Sequence, residues 1–469
     1  MNKLIVSSAV AALLAGCSLA PVYQRPVAPV AQAWPQGEAY RPVAATGDAK
    51  SPSDIGWRDF ISDERLRKLV GIALDNNRDL RVSILNIERA RAQYGVARAD
   101  QVPHLDATLG QSANRVSRNQ SATGEAYVSR QYNSGLTMPA FELDLFGRLK
   151  NTSAAALEQY LGTEEARRTQ QISLVAEIAN AWLTLASDQE RLELARDTLR
   201  NQQTGYQLTR RRYEAGATSG LDMHDAATTV EAARSDVATY TTQVATDLNA
   251  INLLVGAEFS SELLPNGKID PATRLAPVPG NMPASVLQLR PDVLEAERTL
   301  RAANANIGVA RAAFFPNISL TASAGSASGA LSGLFKSGSG AWSFVPQVSL
   351  PIFAAGANRA NLDIAKSTRD IAVAQYEKAL QSAFREVADA LADRGTLEER
   401  VSSQAALVNE SEKSYRIHEA RYRSGADTYL NALVSQRSLY QAQQGLISVR
   451  LAQASNQVTL YKVLGGGWQ

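Results

Sequence analysis

Asp222 and Asp225 stand three residues apart in "SGLDMHDAATTV", so on a helix their carboxylates share one face. Repeated around a symmetry axis, such a pair makes a ring of negative charge that favours cations. Acids at a helix start also have a simpler use, which is to stabilise its dipole. Little else in the chain is arranged for chemistry. The three histidines, His104, His224 and His418, form no HExxH and have no cysteine partner or regular metal spacing. The Gly/Ser stretch from Gly325 to Gly340 holds neither a GxSxG elbow nor a GKS/T phosphate loop, and "NGKID" around Gly267 lacks the rest of one. No catalytic residue, metal or cofactor is expected, and the chain does not read as an enzyme. Lys+Arg 48 against Asp+Glu 46 leaves a net charge of +2, which is not the footprint of a nucleic-acid binder.

Cys17 is the single cysteine of the 469-residue chain. Lys3 precedes an apolar run from Leu4 to Leu14, shorter than the roughly 17–25 residues that span a bilayer as a helix and suited to a signal segment. The run ends in Leu14-Ala15-Gly16-Cys17, which resembles the lipobox of bacterial lipoproteins. That resemblance implies removal of residues 1–16, acyl chains such as palmitate on Cys17, and, with Ser18 rather than an aspartate next, delivery to the outer membrane. Without a second cysteine the mature chain forms no internal disulfide.

The elements that must position any site are long. Prolines cluster between Pro21 and Pro52 and between Pro265 and Pro291, and none occurs from Phe141 to Leu264 or after Pro351. Both proline-free tracts are rich in strong helix formers. Tyr376, Leu380, Ala383, Val387, Ala390, Leu397 and Val401, with Arg394 the one charged occupant of the series, fall on alternating four- and three-residue steps, the mark of a helix packed along a partner. Leu149 to Ala215, if continuous, is roughly 100 Å of helix. Each tract then turns at a repeated signal, "RYEAGATSGLD" from Arg212 and "RYRSGADTYLN" from Arg421. Gly216 and Gly425 suit the left-handed end of a helix, and Thr218, Ser219 or Asp427 can cap the next.

A second repeat opens "GVARA" at Gly95 and at Gly308, followed by Pro103 and Pro316, which stop the helix. Period-two alternation follows. Leu105, Ala107 and Leu109 oppose Asp106, Thr108 and Gly110, while Ile318, Leu320, Ala322 and Ala324 oppose Asn317, Ser319, Thr321 and Ser323. Each copy has a returning strand, near Tyr132 to Phe146 and near Trp342 to Ile352. Four strands with one apolar and one polar face have the pattern of an outer-membrane barrel, yet closure in lipid takes about eight strands or more. One chain is too few; two copies would give eight strands and three would give twelve. Two surface hairpins packed on the helices are the competing reading of the strands, and a lipid-anchored coiled-coil envelope spacer, which would not require such hairpins, is the competing reading of the whole chain.

The lipobox, the two turn repeats, "ELDLFGR", "LRPDVLEAERTLRAANANIGVARAAFFPNISLTAS", "SGLFKSGSG" and "LYKVLGGGW" together resemble the TolC-type outer-membrane efflux proteins, in their OprM-like lipoprotein branch. The similarity runs over nearly the whole chain. It implies a mainly α protein with a transmembrane β-barrel portion. Its homotrimer would form a twelve-stranded barrel, four strands per chain, continuous with a long periplasmic α-helical barrel. It implies an exit duct for drugs and other toxic small molecules, served by a periplasmic adaptor and an inner-membrane transporter of the resistance-nodulation-division class. Protein-secreting and metal-exporting members of the same family keep the cargo open. The implied organisation is a signal peptide at 1–16 and a lipid-anchored extended segment at 17–60. Two structural repeats, 61–264 and 291–469, flank a Pro-rich linker at 265–290.

The resemblance also implies a periplasmic gate, which falls on Tyr422, Leu430, Val434 and Arg437. Val434 stands where the family carries an acid, which puts the usual carboxylate-arginine link in doubt. Asp225 occupies the equivalent position of the first repeat. Asp222 and Asp225 are accordingly expected to supply an acidic constriction, Leu221 and Leu430 to narrow it, and the turns at Gly216 and Gly425 to meet the adaptor.

Overall fold

A computed structural model describes residues 18–41, 55–267 and 283–466. The signal segment, Cys17 and most of the Pro-rich linker lie outside them. Eight helices and four strands are formed among the described residues. In chain order they are α1 (Trp57–Phe60), α2 (Glu64–Asn76), α3 (Arg78–Ala99), β1 (Asp106–Val116), β2 (Tyr127–Glu142), α4 (Arg148–Glu214), α5 (Gly220–Val255), α6 (Pro291–Ala312), β3 (Asn317–Ser328), β4 (Gly340–Ser349), α7 (Ala357–Arg423) and α8 (Tyr429–Val463). The chain divides into two compact units.

One unit takes residues 18–27, Asn86–Thr163 and Glu295–Tyr376. It holds a single antiparallel sheet in the order β1-β2-β3-β4, so the two hairpins expected from the sequence join through β2 and β3. The register sorts the side chains onto two faces. Leu136, Ala324 and Trp342 form one cross-strand row, and Met138, Ala322 and Phe344 another on the same side. Thr137, Ser323 and Ser343 lie on the opposite side, with the Ser323 and Ser343 hydroxyls bonded at 2.8 Å. A bulge between Met138 and Phe141 sets Phe141 opposite Leu320, on the apolar side. Beyond Ser349, the Leu350-Pro351 step ends the strand that the sequence pattern carried on to Ile352.

In the same unit, residues 18–25 lie along α6. Ser18 donates to Asn151 at 2.8 Å, Asn304 to the Pro21 carbonyl at 2.7 Å and Arg311 to the Leu19 carbonyl at 2.9 Å. The Glu297 side chain is only 4% exposed and accepts from Arg25 at 2.6 Å, Arg301 at 2.8 Å and Tyr23 at 3.0 Å. Burial raises the Glu297 pKa, but these three donors outweigh it and hold the carboxyl below its usual range. The repeated "GVARA" glycines differ in use. A Cβ on Gly95 would meet nothing within 4 Å, whereas on Gly308 it would press the Ala20 backbone nitrogen at 2.7 Å, so only the second copy needs its glycine for a close approach.

The other unit takes Ala28–Leu85, Glu164–Leu294 and Glu377–Gln469 where described. Its core joins α1 and α2 to the long helices. Phe60 stacks on Tyr461 at 3.8 Å, Trp182 donates to the Leu263 carbonyl at 3.1 Å, and Leu66, Leu69 and Val70 are fully buried. Arg290, 8% exposed, is held by Asp292 at 2.6 Å, Glu386 at 2.9 Å and the Val463 carbonyl at 2.7 Å. Such a cation is tolerated because each guanidinium nitrogen has a partner. The repeating apolar positions Leu380, Ala383, Val387, Ala390 and Leu397 of α7 are all buried, as their spacing requires.

Candidate functional site

The long helices α4 and α7 each end in the same motif. Ala217 N–H bonds the Arg212 carbonyl and Gly216 N–H the Tyr213 carbonyl; Ala426 and Gly425 repeat this with Arg421 and Tyr422. The glycines carry φ of 71° and 77°, the left-handed conformation this closure needs. Both turn glycines are exposed. Ser219 and Thr428 then cap α5 and α8. Asp427, which the sequence offered as a cap, sits one residue earlier as a hub. It accepts from Asn431 at 2.7 Å, Thr428 N at 2.8 Å and His418 Nδ1 at 2.8 Å, and these bonds hold its carboxyl down at about 2.

The expected gate residues divide into two groups. Leu221, Leu430 and Val434 point outward, 69%, 57% and 53% exposed, whereas the nearby Ala226, Val230 and Leu433 are buried. Arg437 is also exposed on this stretch of α8. Tyr422 turns the other way. Its ring meets Tyr429 at 5.3 Å with the planes tilted by 59°, Arg212 lies over it at 5.0 Å, and its hydroxyl is buried with no hydrogen-bond partner.

The two aspartates also separate. Asp222 closes a capping box with Ser219 and accepts from Thr218 Oγ1 at 2.6 Å; that bond chiefly lowers its pKa. Asp225, one turn on, is not part of that box and lies near Tyr429. Burial first, then Tyr422 and the Asp225 carboxylate, push the Tyr429 phenol up to about 12. The two carboxylates share a stretch of helix but not their partners.

Sequence reasoning overlooked several partners of this site. Arg212 belongs to the repeated turn signal, yet nothing in that signal said its guanidinium would cover Tyr422 of the other repeat. Gln202 accepts from Thr229 at 2.8 Å, Tyr440 donates to Asp236 at 3.0 Å and Gln444 to Tyr240 at 3.0 Å. These bonds tie α4 to α5 and α5 to α8. Each joins residues far apart in the chain that lack a distinctive motif. Among the described residues no group of acids, histidines or cysteines is placed to hold a metal, and no helix is long and apolar enough to cross a membrane. Cys17 lies outside the described residues.

The profile of the outer membrane efflux protein family matches residues 69–257 and 282–466, which together contain all four strands and every helix from α3 onward. The chain belongs to that family. Two Pseudomonas putida relatives, the antibiotic efflux pump outer membrane protein ArpC and the toluene efflux pump outer membrane protein TtgC, are each 49% identical over all of this chain and 96% of their own. The open state of the Neisseria gonorrhoeae MtrE outer membrane channel superposes with a TM-score of 0.85 at 36% identity, covering 97% of this chain and 99% of that one. As an outer membrane efflux protein the chain is a transport component of the outer membrane, and its sheet is the part built to face lipid.

Proposed function

We propose that the protein is the outer-membrane exit duct of a tripartite efflux pump, passing antibiotics, solvents and other toxic small molecules to the exterior. The observation that carries this reading is the four-stranded sheet, apolar on one face and hydroxyl-rich on the other, with β1 and β4 each paired on one edge only among the described residues. Open edges in hydrocarbon leave N–H and C=O groups unsatisfied, so the sheet must close with strands from other chains. Three chains supply twelve strands, and the polar face then lines a wet passage. The names of the antibiotic and toluene efflux relatives support the cargo class. Conduction makes and breaks no bonds, so the duct is passive and no residue acts as a catalyst.

Driving force comes from an inner-membrane transporter of the resistance-nodulation-division class, reached through a periplasmic adaptor that meets the exposed turns at Gly216 and Gly425. Leu221, Leu430 and Val434 narrow the periplasmic opening, Asp225 gives it its negative charge, and Tyr422 and Arg437 support it. A lipid on Cys17 anchors the chain. Ser18, the next residue, donates to Asn151 in the first turn of α4. Electron microscopy of the detergent-extracted protein, with drug and solvent susceptibility of cells lacking the gene, tests the reading. Hollow three-fold particles and hypersensitive cells are expected. Particles without a lumen, or unaltered susceptibility, would overturn it.

A further inference from the structure

The strands leave the helices at the starts of β1 and β3, and the loops at 117–126 and 329–339 close the far end of the sheet. Towards those loops the apolar side changes character. Ile318 with Val348, and Leu136 with Ala324 and Trp342, belong to its apolar rows. Farther out stand Gln111, Tyr132 and Ser328 in one row, then Arg130 opposite Ala113, then Arg115 opposite Val128. Arg115 and Arg130 therefore share the side of Leu136 and are diagonal neighbours on β1 and β2, about 7–8 Å apart. Both are exposed, and among the described residues neither guanidinium has a hydrogen-bond or ion-pair partner.

No acid is at hand to neutralise the pair. Between residues 107 and 141 the single acid is Glu125, which Arg118 engages at 3.6 Å. Residues 317–349 contain none, so a second copy that lays its β4 beside β1 brings only Lys336. Height in the bilayer then decides what the two cations meet. Arg130 stands six residues from Leu136, about 20 Å along β2. At a strand tilt of about 35–45° this is roughly 15 Å of height, more than half of an apolar band about 25 Å tall. With the Leu136 row near mid-bilayer, both guanidiniums reach the headgroups, and the loop end of the sheet is the outer leaflet. That placement rests on the reading of the sheet as part of an outer-membrane barrel. We propose that Arg115 and Arg130 bind the phosphomonoester of an outer-leaflet lipid headgroup, one lipid per chain, with its acyl chains against the apolar rows below. A phosphomonoester carries about −1.5 to −2 charge and three acceptor oxygens, which two guanidinium forks match in charge and in donors. A phosphodiester brings one charge and two free oxygens, and matches them less well.

Native mass spectrometry of the detergent-extracted protein, titrated with diphosphorylated lipid A, tests the site. Saturable binding of one lipid per chain is expected. Fully dephosphorylated lipid A and the diester phosphatidylglycerol should each bind at least about tenfold more weakly, and inorganic phosphate at equal concentration should not displace the lipid. Arg115→Gln and Arg130→Gln should each weaken lipid A by about tenfold, and the double variant should lose the saturable site. Recovery from the outer-membrane fraction shows that a variant has inserted. Arg115→Lys and Arg130→Lys, which keep the charge without the fork, serve where a glutamine variant does not insert, and should bind more weakly than the native protein. A further variant moves the charges to the other side of the sheet by adding Asn114→Arg and Ser129→Arg, which oppose each other across β1 and β2, to the double-glutamine background. It should bind no better than that background. Absence of saturable binding, equal binding by native and double-glutamine protein, or displacement by inorganic phosphate would overturn the proposal and leave the barrel reading standing. Binding restored by the relocated arginines would mean that the hydroxyl-rich side faces lipid, and the barrel orientation would fall with the proposal.

Discussion

The Asp222 carboxylate is occupied by the helix start it closes, taking Thr218 Oγ1 at 2.6 Å while its own N–H bonds Ser219 Oγ at 3.1 Å. Asp222→Ala should therefore lower thermal stability by about 0.5–2 kcal/mol, the usual worth of a cap, and leave ion preference nearly intact. Asp225→Ala should do the reverse, reducing cation preference with little change in melting. Reversal potentials in a KCl gradient across planar bilayers, set beside melting curves, separate the two; a selectivity loss that follows Asp222 would refute the assignment. Asp247 on α5 titrates in the opposite sense. Burial, and then the neighbouring Asp188, push its carboxyl up to about 6. The ordinary aspartate value is about 3.9. Between about pH 4 and 6 the folded state thus binds more proton than the unfolded one, and stability falls as pH rises through that window. Asp247→Asn should melt higher than the native protein at pH 7.5 and gain nothing at pH 4. An equal gain at both would mean that the carboxyl is not protonated in the fold.

At the scale of elements, the β3 positions 323 and 324 are adjacent and opposed. Ser323 lies in the row with Thr137 and Ser343, and Ala324 in the row with Leu136 and Trp342. Ala324→Lys places a charge on the lipid side and should cost about 2–4 kcal/mol if the row is near mid-bilayer, seen as loss of protein from the outer-membrane fraction. Ser323→Lys should insert normally and reduce cation conductance. Equal membrane yields for the two would mean that the faces were assigned the wrong way round. These strands, the buried seam of α7 and the left-handed turns at Gly216 and Gly425 were legible in the sequence, because each rests on a local period or on the φ of a single residue. The hub at Asp427, the Arg212–Tyr422 stack and the triple clasp on Glu297 were not. Glu297 is held by Tyr23 and Arg25 from the far N-terminal end of the chain, and no short-range pattern encodes which distant arginine a buried acid will meet. For Asp222 and Asp225, helical spacing gives the shared face, whereas the Thr218 and Ser219 hydroxyls that Asp222 also engages could not be read from it.

For the whole molecule, the sheet edges decide how many chains assemble. Within one chain the strands alternate in direction, so β4 of one copy can pair antiparallel with β1 of the next, and the sheet closes with an even strand count for any number of chains. Two copies would close eight strands around a lumen filled by side chains; three would close twelve around open water. Because Cys17 is the single native cysteine, engineered pairs report on this junction cleanly. Ser112, Ala341, Ser343 and Val345 all fall on the hydroxyl-rich side. Ser112→Cys combined in turn with Ala341→Cys, Ser343→Cys and Val345→Cys samples successive registers, and only the pair that brings Cα atoms within about 4.4–6.8 Å can form a disulfide. Oxidised membranes carrying that pair should give denaturing-gel bands of one, two and three chains and none larger, while each single variant stays at one. A ladder ending at two chains would mean an eight-stranded barrel. A ladder ending at four chains would mean a sixteen-stranded barrel, and one without an upper limit an open sheet, which a lipid bilayer does not tolerate.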